Sequence, residues 1–133
     1  MKFTRFGQIV VGLVAFGIIS SAWGWEPREP EGVTPLNAER IRNALSGKIG
    51  RGKLVAFEER YYEDGVLQGV TSNGRPFSGK WWVEEKDDYL CMKYVFRNLE
   101  CSNIARGEDG MLYYYVWGSD RPDYDVKLED IPD

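Results

Sequence analysis

The chain has 133 residues, of which 43% are hydrophobic and 29% charged, and its 17 basic and 21 acidic residues leave a net charge of −4. This length suits one ordinary domain, and the acidic balance disfavours nucleic acid and anionic membrane surfaces as partners. Histidine is absent from the sequence, which excludes Ser-His and Cys-His catalytic arrangements and the commonest zinc ligand.

Residues 1–24 have the three parts of a secretory signal peptide. Lys2 and Arg5 form a basic start, an apolar run follows, and small residues end the segment. Cleavage after Ala22 and cleavage after Gly24 both satisfy the rule for small residues at the cut. The apolar run is short for a membrane span, so an uncleaved anchor is the minor alternative, and no cysteine near the cut could carry a lipid. We expect an exported protein, periplasmic or secreted, with 109 mature residues and a net charge of −6.

An extended arm and one helix are predicted next. Residues 25–35 (WEPREPEGVTP) contain three prolines and three glutamates, a composition typical of an extended segment. Leu36–Gly47 predicts a helix in which Asn37 is the N-cap, Leu36 and Ile41 have the spacing of a hydrophobic staple, and Gly47 ends the helix. Because its apolar stripe is narrow, we expect this helix to cover the end of a sheet.

Everything after the helix indicates β structure. Asp64-Gly65, Asn73-Gly74 and Asp109-Gly110 are strong signals for tight hairpin turns. Turns spaced by about 8–12 residues favour an antiparallel meander, and seven or eight strands are enough to close a small barrel. The predicted domain is therefore mainly β, a barrel spanning 36–128 with one N-terminal helix, followed by an acidic tail at 129–133. The predicted strands are Leu54–Tyr62, Val66–Thr71, Phe77–Glu84, Tyr89–Tyr94, Cys101–Ala105, Met111–Trp117 and Tyr124–Leu128.

The alternation of residues along the predicted strand 77–84 indicates which of its side chains face the barrel interior. Because neighbouring strand residues point to opposite faces, Trp81 and Trp82 cannot both be buried. We expect Trp81 in the core beside Phe77 and Val83, with Trp82 more exposed. Gly79 in the middle of this strand is expected to lie beneath a large ring from a neighbouring strand.

Cys91 and Cys101 are the two cysteines of the chain. A pair of cysteines in an exported protein predicts one disulfide. A hairpin centred on Phe96, the midpoint between them, would place the two directly opposite each other with Cα atoms about 4.5–5.5 Å apart. A redox-active pair is disfavoured, because the spacing is not C-x-x-C and no helix N-terminus is at hand to lower the pKa of a thiol.

The order of these features carries a family resemblance. A short helix (LNAERIRNALSGK) precedes Y-Y-x-x-D-G at Tyr61–Gly65, then G-x-W at Gly79–Trp81, L-C at Leu90-Cys91 and a second cysteine. Over roughly Leu36–Trp117 the chain resembles a family of small exported proteobacterial domains of unknown function, from which it departs in the more apolar Tyr94–Phe96. The resemblance implies a fold and carries over no catalytic residues. At the level of fold, the chain is also similar to lipocalin-like and avidin-like barrels.

Carboxylates offer the remaining catalytic chemistry, but their spacing disfavours it. Glu58 and Glu59 adjoin in a strand and so point to opposite faces, whereas Glu84-Glu85 and Asp87-Asp88 flank a turn in solvent. The aspartates of segment 120–125 lack the glycine and the final glutamate of an EF-hand loop for calcium. We therefore expect a protein that is not an enzyme and that holds no metal and no cofactor.

Aromatic residues are the stronger indication of function. Tyr113, Tyr115 and Trp117 share one face of their predicted strand, and the outer face of a barrel would leave them as a row of exposed rings. Together with Trp82 they could bind a small apolar or glycan-like ligand; the alternative is that the rings pack over neighbouring glycines and under the proline arm. Phe96 at the hairpin tip either contacts a partner or folds back. The expected partner is thus a small molecule. As a second hypothesis, the protein is an interaction factor of the inhibitor, immunity or envelope-stress type, and its partner is an envelope protein.

Overall fold

The computed structural model describes residues 25–94 and 97–132. The predicted signal peptide and the predicted contact residue Phe96 lie outside the described residues. In the described part, one helix and nine strands follow one another along the chain. They are β1 (Thr34–Pro35), α1 (Ala38–Leu45), β2 (Lys48–Gly52), β3 (Glu58–Tyr61), β4 (Val66–Val70), β5 (Pro76–Glu84), β6 (Tyr89–Tyr94), β7 (Arg97–Arg106), β8 (Leu112–Val116) and β9 (Tyr124–Asp130).

Strands β2 to β9 form a closed antiparallel barrel. Each strand pairs with the next along the chain, and β9 returns to pair with β2, where Gly50 lies opposite Leu128. The short strand β1 adds to β7 outside this circuit, with Thr34 opposite Arg106. Closure leaves the eight barrel strands without an open edge of unpaired backbone groups. The predicted fold, mainly β with a small antiparallel barrel and one N-terminal helix, is confirmed.

Strand β2 was missed, and the predicted strand Leu54–Tyr62 is wrong in its first half. Leu54 is 77% exposed and lies in the loop between β2 and β3. The sequence of β2 is KIGRG, and glycine has a low strand propensity. A Cβ atom at Gly50 would lie 2.8 Å from the Val126 side chain and 3.3 Å from the Tyr61 ring. Glycine is needed here because large neighbours fill the space, so packing rather than propensity determines this strand.

The barrel interior is filled by the inward-facing half of each strand. These buried side chains include Tyr61, Leu67, Trp81, Leu90, Met92, Ile104, Leu112, Tyr114 and Val126. As predicted, Trp81 is in the core and Trp82 is 41% exposed. The Trp81 ring packs edge-to-face on Tyr61 at a centroid distance of 5.5 Å, and its Nε1 donates a hydrogen bond of 2.8 Å to the carbonyl of Tyr62. A buried tryptophan thus has both its ring and its polar atom accommodated.

Glycine is required at position 79 for a different reason from the overlying ring that was predicted. A Cβ atom at this position would lie 2.0 Å from the backbone carbonyl oxygen of Lys93 on β6. No side-chain ring is among the three atoms nearest to it. The register of β6 against β7 shifts between Met92 and Tyr94, next to this close approach. Glycine is therefore required by the backbone of the neighbouring strand.

Helix α1 closes one end of the barrel. Its N-cap is confirmed, because Oδ1 of Asn37 accepts a hydrogen bond of 2.9 Å from the backbone N–H of Arg40. Ile41 and Leu45 are fully buried in the barrel core. The helix is also tied to the turn between β5 and β6, where Asp88 accepts a 2.8 Å hydrogen bond from the N–H of Ala38. This end of the barrel is therefore plugged by apolar side chains.

The predicted disulfide is confirmed. Cys91 and Cys101 lie directly opposite each other on β6 and β7, with their Cα atoms 4.0 Å apart. Strand β7 is longer than the predicted Cys101–Ala105 and runs from Arg97 to Arg106. The bond therefore joins two neighbouring barrel strands on their outer face.

We expect the double substitution Cys91→Ala/Cys101→Ala to lower the free energy of unfolding by about 2–3 kcal/mol, because the bond closes a short loop in the unfolded chain. The two cysteines are 10 residues apart. Urea unfolding followed by circular dichroism would measure the change. The far-ultraviolet spectrum should stay that of the parent, since the barrel has backbone pairing on every strand. Equal stability of the variant and the oxidised parent would contradict this expectation.

Candidate ligand site at the open end of the barrel

The end of the barrel opposite α1 is open and contains a pocket of about 330 Å³. Its rim is formed by the loops at 53–57 and 71–75, and its wall by inward-facing side chains of the strands. The volume is at the lower end of the range for small-molecule sites. Rings dominate the wall: Phe57, Phe77, Tyr94, Tyr114 and Tyr124.

Strand register explains why these rings reach the pocket. Glu59 lies opposite Gly69, and Gly69 lies opposite Phe77, so all three point inward. A Cβ atom at Gly69 would lie 2.2 Å from the backbone carbonyl oxygen of Glu58 and 2.6 Å from the Phe77 ring. The absent side chain at Gly69 thus makes room for that ring beside Glu59. Inward alternation on β6 then brings Tyr94 to the same end.

The rings meet at right angles. Phe77 and Tyr94 have centroids 4.7 Å apart and an interplanar angle of 78°. Phe57 and Tyr124 are 5.5 Å apart at 85°. Edge-to-face packing is the favoured geometry for aromatic pairs, so the two rings of each pair hold one another in place.

A buried carboxylate lies at the inner end of the pocket. Glu59 is only 6% exposed. Its Oε1 accepts a hydrogen bond of 2.5 Å from the hydroxyl of Tyr61, and its Oε2 accepts one of 2.9 Å from the hydroxyl of Tyr94. The hydroxyls of Tyr61 and Tyr114 are 3.0 Å apart. Hydrogen bonds of this kind offset the cost of burying the carboxylate.

The two deepest tyrosines remain neutral. Burial raises the pKa of Tyr61 well above its ordinary value, and the nearby negative charge of Glu59 adds to the effect. Burial and Glu59 also raise the pKa of Tyr114. Both hydroxyls therefore keep their protons at physiological pH.

The residues predicted to bind a ligand lie on the outer wall of the barrel instead. The expected row of exposed rings is wrong, because the N-terminal arm covers its middle. Tyr115 is fully buried. Its ring packs edge-to-face on Trp25 at 5.1 Å, and its hydroxyl donates a 2.7 Å hydrogen bond to the carbonyl of Glu29. Tyr115 therefore packs under the proline arm, as the alternative interpretation predicted.

The other three predicted residues are more accessible. Tyr113 packs against Gly107, and its hydroxyl donates a hydrogen bond of 3.0 Å to Asp109. Trp117 is 53% exposed, and its backbone N–H donates to the carbonyl of Cys101 at 2.8 Å. Trp82 lies opposite Cys91. The two exposed tryptophans thus flank the disulfide on the outer wall, and neither lines the pocket.

Two of the carboxylates considered as catalysts or metal ligands, Glu58 and Asp123, have structural partners. Glu58 faces outward and pairs with Arg51 at 2.7 Å, whereas Glu59 faces inward, so the predicted opposite faces are confirmed. In segment 120–125, Asp123 accepts a 2.9 Å hydrogen bond from the N–H of Val116. Within residues 25–94 and 97–132, no group of three Cys, Asp or Glu side chains is arranged to hold a metal ion.

A second hollow of about 480 Å³ lies at the plugged end. It is bounded by α1, the end of the arm and the turn between β7 and β8. Its polar side chains, among them Arg40, Arg106 and Glu108, are exposed. Because those side chains keep their contact with water, this groove is a weaker candidate for a ligand site than the open-end pocket is.

Comparison with known proteins does not assign the chain to a family. No protein-family model matches it. Over 80 residues the chain is 29% identical to the pre-mRNA-splicing factor SLU7 of Oryza sativa, in both the indica and the japonica subspecies. The aligned part is 60% of this chain, which spans 14% of the length of these curated relatives. The described residues also contain no helix with the length and apolarity needed to cross a bilayer.

Sequence reasoning missed Glu59, Tyr94 and Phe57 as site residues. A usable signal existed in the strand period, because a carboxylate at position 59 shares a face with the aromatic Tyr61. An acidic residue on the inward face of a barrel strand is unusual, since carboxylates are seldom buried without partners. The sequence alone did not determine which of Glu58 and Glu59 faces inward.

The buried hydroxyl of Tyr115 predicts a loss of stability at alkaline pH. Burial raises its pKa from 10 to about 12, so above pH 10 the unfolded chain releases a proton that the folded chain still holds. Its contribution to stability is full below pH 10 and disappears as the pH rises to 12. Urea unfolding between pH 8 and pH 11 should therefore show a smaller decline for Tyr115→Phe than for the parent. The other buried tyrosines keep some decline in both proteins, and identical slopes would contradict the assignment.

Proposed function

We propose that this protein binds a small organic ligand in the open end of its barrel and does so without catalysis. The ligand has an apolar face and at least one polar group. The observation that carries the proposal is the ring-walled pocket of about 330 Å³ at the open end of the barrel, whose lining includes the buried Glu59.

The pocket combines the two properties of a ligand site. Aromatic rings offer a large apolar contact area, and edge-to-face packing fixes their positions. Glu59, Arg75 and Glu100 are polar residues of the same lining. A carboxylate inside a barrel stabilises the fold less than an apolar side chain of similar volume does.

The place of action follows from the disulfide and from the start of the chain. A disulfide is compatible with an oxidising compartment, and residues 1–24 have the pattern of a secretory signal. We therefore assign the binding activity to the cell envelope or the surrounding medium. The resemblance to small exported proteobacterial domains agrees with this assignment.

Two serine-to-tryptophan variants test the site. Ser72 lines the pocket rim, whereas Ser78 is exposed on β5 and faces away from the interior. We would titrate the labelled protein with phenol, benzyl alcohol, benzylamine and methyl β-glucoside and follow its amide spectrum by NMR. We expect saturable shifts confined to the loops 53–57 and 71–75 for at least one compound. Ser72→Trp should abolish them, and Ser78→Trp should leave them unchanged.

The proposal fails if no compound gives saturable shifts at the mouth, or if Ser72→Trp binds as the parent does. A pocket blocked by a tryptophan ring cannot admit the ligand. Unchanged thermal unfolding of both variants would show that the comparison reports on binding rather than on folding.

A second candidate function, contact with another protein, is favoured by a cationic and apolar patch on the outer wall. Lys80 lies directly opposite Lys93, and both are exposed. Neither forms an ion pair with the part of the chain that the structure describes. Like charges in direct opposition are destabilising. Trp82 and Leu99, 41% and 43% exposed, flank the lysines, so the patch fits a protein surface that carries carboxylates around an apolar centre.

This partner should be a different protein, because a two-fold contact of the patch with itself would bring four lysines together. Carbodiimide joins lysine to carboxylate directly, so cross-linking in envelope extract should connect Lys80 or Lys93 to acidic residues of one recurring partner. The link should be lost in Lys80→Glu/Lys93→Glu and kept in the control Lys127→Glu, which reverses one exposed charge on β9. Cross-links that survive the double reversal would exclude this surface.

A further inference from the structure

We infer that the groove at the plugged end of the barrel is a second binding site, one for a soluble organic molecule that carries a phosphate or carboxylate group. This site is separate from the open-end pocket, so the inference does not depend on the proposed function. Two observations lead to it. The groove is a hollow of about 480 Å³ beside α1, and two arginine side chains line it without forming an ion pair.

The two arginines of the groove come from different elements. Arg40 is on α1, and Arg106 is the last residue of β7. Neither forms an ion pair with a carboxylate of residues 25–94 and 97–132. Five other arginines of these residues each pair with a carboxylate: Arg28, Arg42, Arg51, Arg60 and Arg121. The groove therefore holds two cations that have no direct ionic partner in the described chain.

Further hydrogen-bond donors lie beside both arginines. Thr34 lies directly opposite Arg106 in the pairing of β1 with β7, so their side chains are on the same face. Asn43 follows Arg40 by three residues on α1, a spacing that makes the two neighbours on the helix surface. Thr34 and Asn43 both line the groove. Their hydroxyl and amide groups add neutral donors to the N–H donors of the two guanidinium groups.

One carboxylate also lines the groove, on the side of the arm. A Cβ atom at Gly32 would lie 2.8 Å from Cδ of Glu108, so this carboxyl group packs directly against the turn of the arm. Glu108 forms no ion pair with Arg40 or Arg106. The charged side chains of the described lining are thus two cations and one anion. We expect an anionic group to lie on the arginine side of the groove, away from Glu108.

The donors of the groove suit an oxyanion. A guanidinium group is planar and always charged, and its parallel N–H groups match two oxygens of one carboxylate or phosphate. The volume of about 480 Å³ lies within the range of about 300–1,000 Å³ for small-molecule sites. The groove therefore has room for an organic molecule that carries the oxyanion as well as for the oxyanion itself.

The exposure of both arginines limits the strength of binding. Exposed charge pairs are weak and are screened by salt. The chain as a whole carries a net charge of −4, so its overall field repels anions. Saturable binding of an anion at this groove would therefore have a local cause in the two arginines.

Glycerol phosphate and glycerol test the site, because they share a carbon chain and differ in the phosphate group. We would titrate each into the labelled protein at constant ionic strength and follow its amide spectrum by NMR, with inorganic phosphate and citrate as further anions. We expect saturable shifts with glycerol phosphate at Gly32, at Gly107 and along α1, which border the groove. Glycerol should give no saturable shifts there, and the resonances of loops 53–57 and 71–75 should not move with either compound.

Three variants at the groove identify the groups that hold the anion. Arg40→Gln and Arg106→Gln should each weaken the binding of glycerol phosphate about fivefold, the upper range for exposed charge pairs. Glu108→Gln should strengthen it about twofold, because one repelling charge is removed. The control Lys127→Gln changes the net charge as the arginine variants do, but Lys127 is on β9 and does not line the groove. It should change the affinity by less than about 1.5-fold.

The inference is overturned if no anion gives saturable shifts at the groove, or if Lys127→Gln weakens binding as much as Arg40→Gln does. It is also overturned if vesicles of phosphatidylglycerol shift the groove resonances while glycerol phosphate does not, because the ligand would then be a membrane surface. Binding of glycerol phosphate that falls in both arginine variants and rises in Glu108→Gln supports the inference. Unchanged thermal unfolding of the four variants would show that the affinities compare folded proteins.

Discussion

Barrel closure depends on β2 lying between β3 and β9, and the glycines of β2 make that possible. The inward position at Gly50 is already occupied by the Val126 side chain and the Tyr61 ring. A larger residue there would push one of these neighbours away and open the barrel along the seam. Closure in turn decides which half of each strand faces inward, since in a closed sheet the side chains alternate strictly between interior and exterior. The placement of the rings and of Glu59 therefore follows from this seam.

The two ends of the barrel are filled by different chemistry. At one end Ile41 and Leu45 of α1 complete an apolar core. At the other end the interior side chains become polar and aromatic, and no helix of the described chain covers them. The disulfide joins β6 and β7 midway between these ends, on the outer wall. The apolar plug and the candidate ligand site thus lie at opposite ends of one small domain.

The sequence predicted the fold well because its signals were local. Turn pairs such as Asp64-Gly65, the alternation of Phe77 to Val83 and the spacing of the two cysteines each depend on a few neighbouring residues. Strand β2 was not predicted because its sequence has a low strand propensity. The strand is held in place by neighbours that are distant along the chain. The reason predicted for glycine at position 79 was wrong, since the close approach of a neighbouring backbone cannot be recognised from the pattern of side chains.

The candidate site was less predictable than the fold. Exposure of Tyr115 was expected from the face it occupies, but that face is covered by the arm through Trp25 and Glu29. The two-residue alternation of a strand does not indicate where a proline-rich arm will lie. Similarly, the pocket brings together Phe57, Glu59 and Phe77, residues whose contact depends on strand register rather than on any motif. Function in such a barrel is set by register, which a single sequence specifies only through its turns.

Tyr61 connects the core to the site. Its ring packs on Trp81 in the fully buried part of the barrel, and its hydroxyl holds Glu59. A binding group positioned by a rigid core residue loses little conformational freedom when a ligand arrives, which favours affinity. The same connection means that a change in the core near Trp81 would move the carboxylate. In a domain this small the candidate binding group and the core packing are not independent, because Tyr61 contacts both.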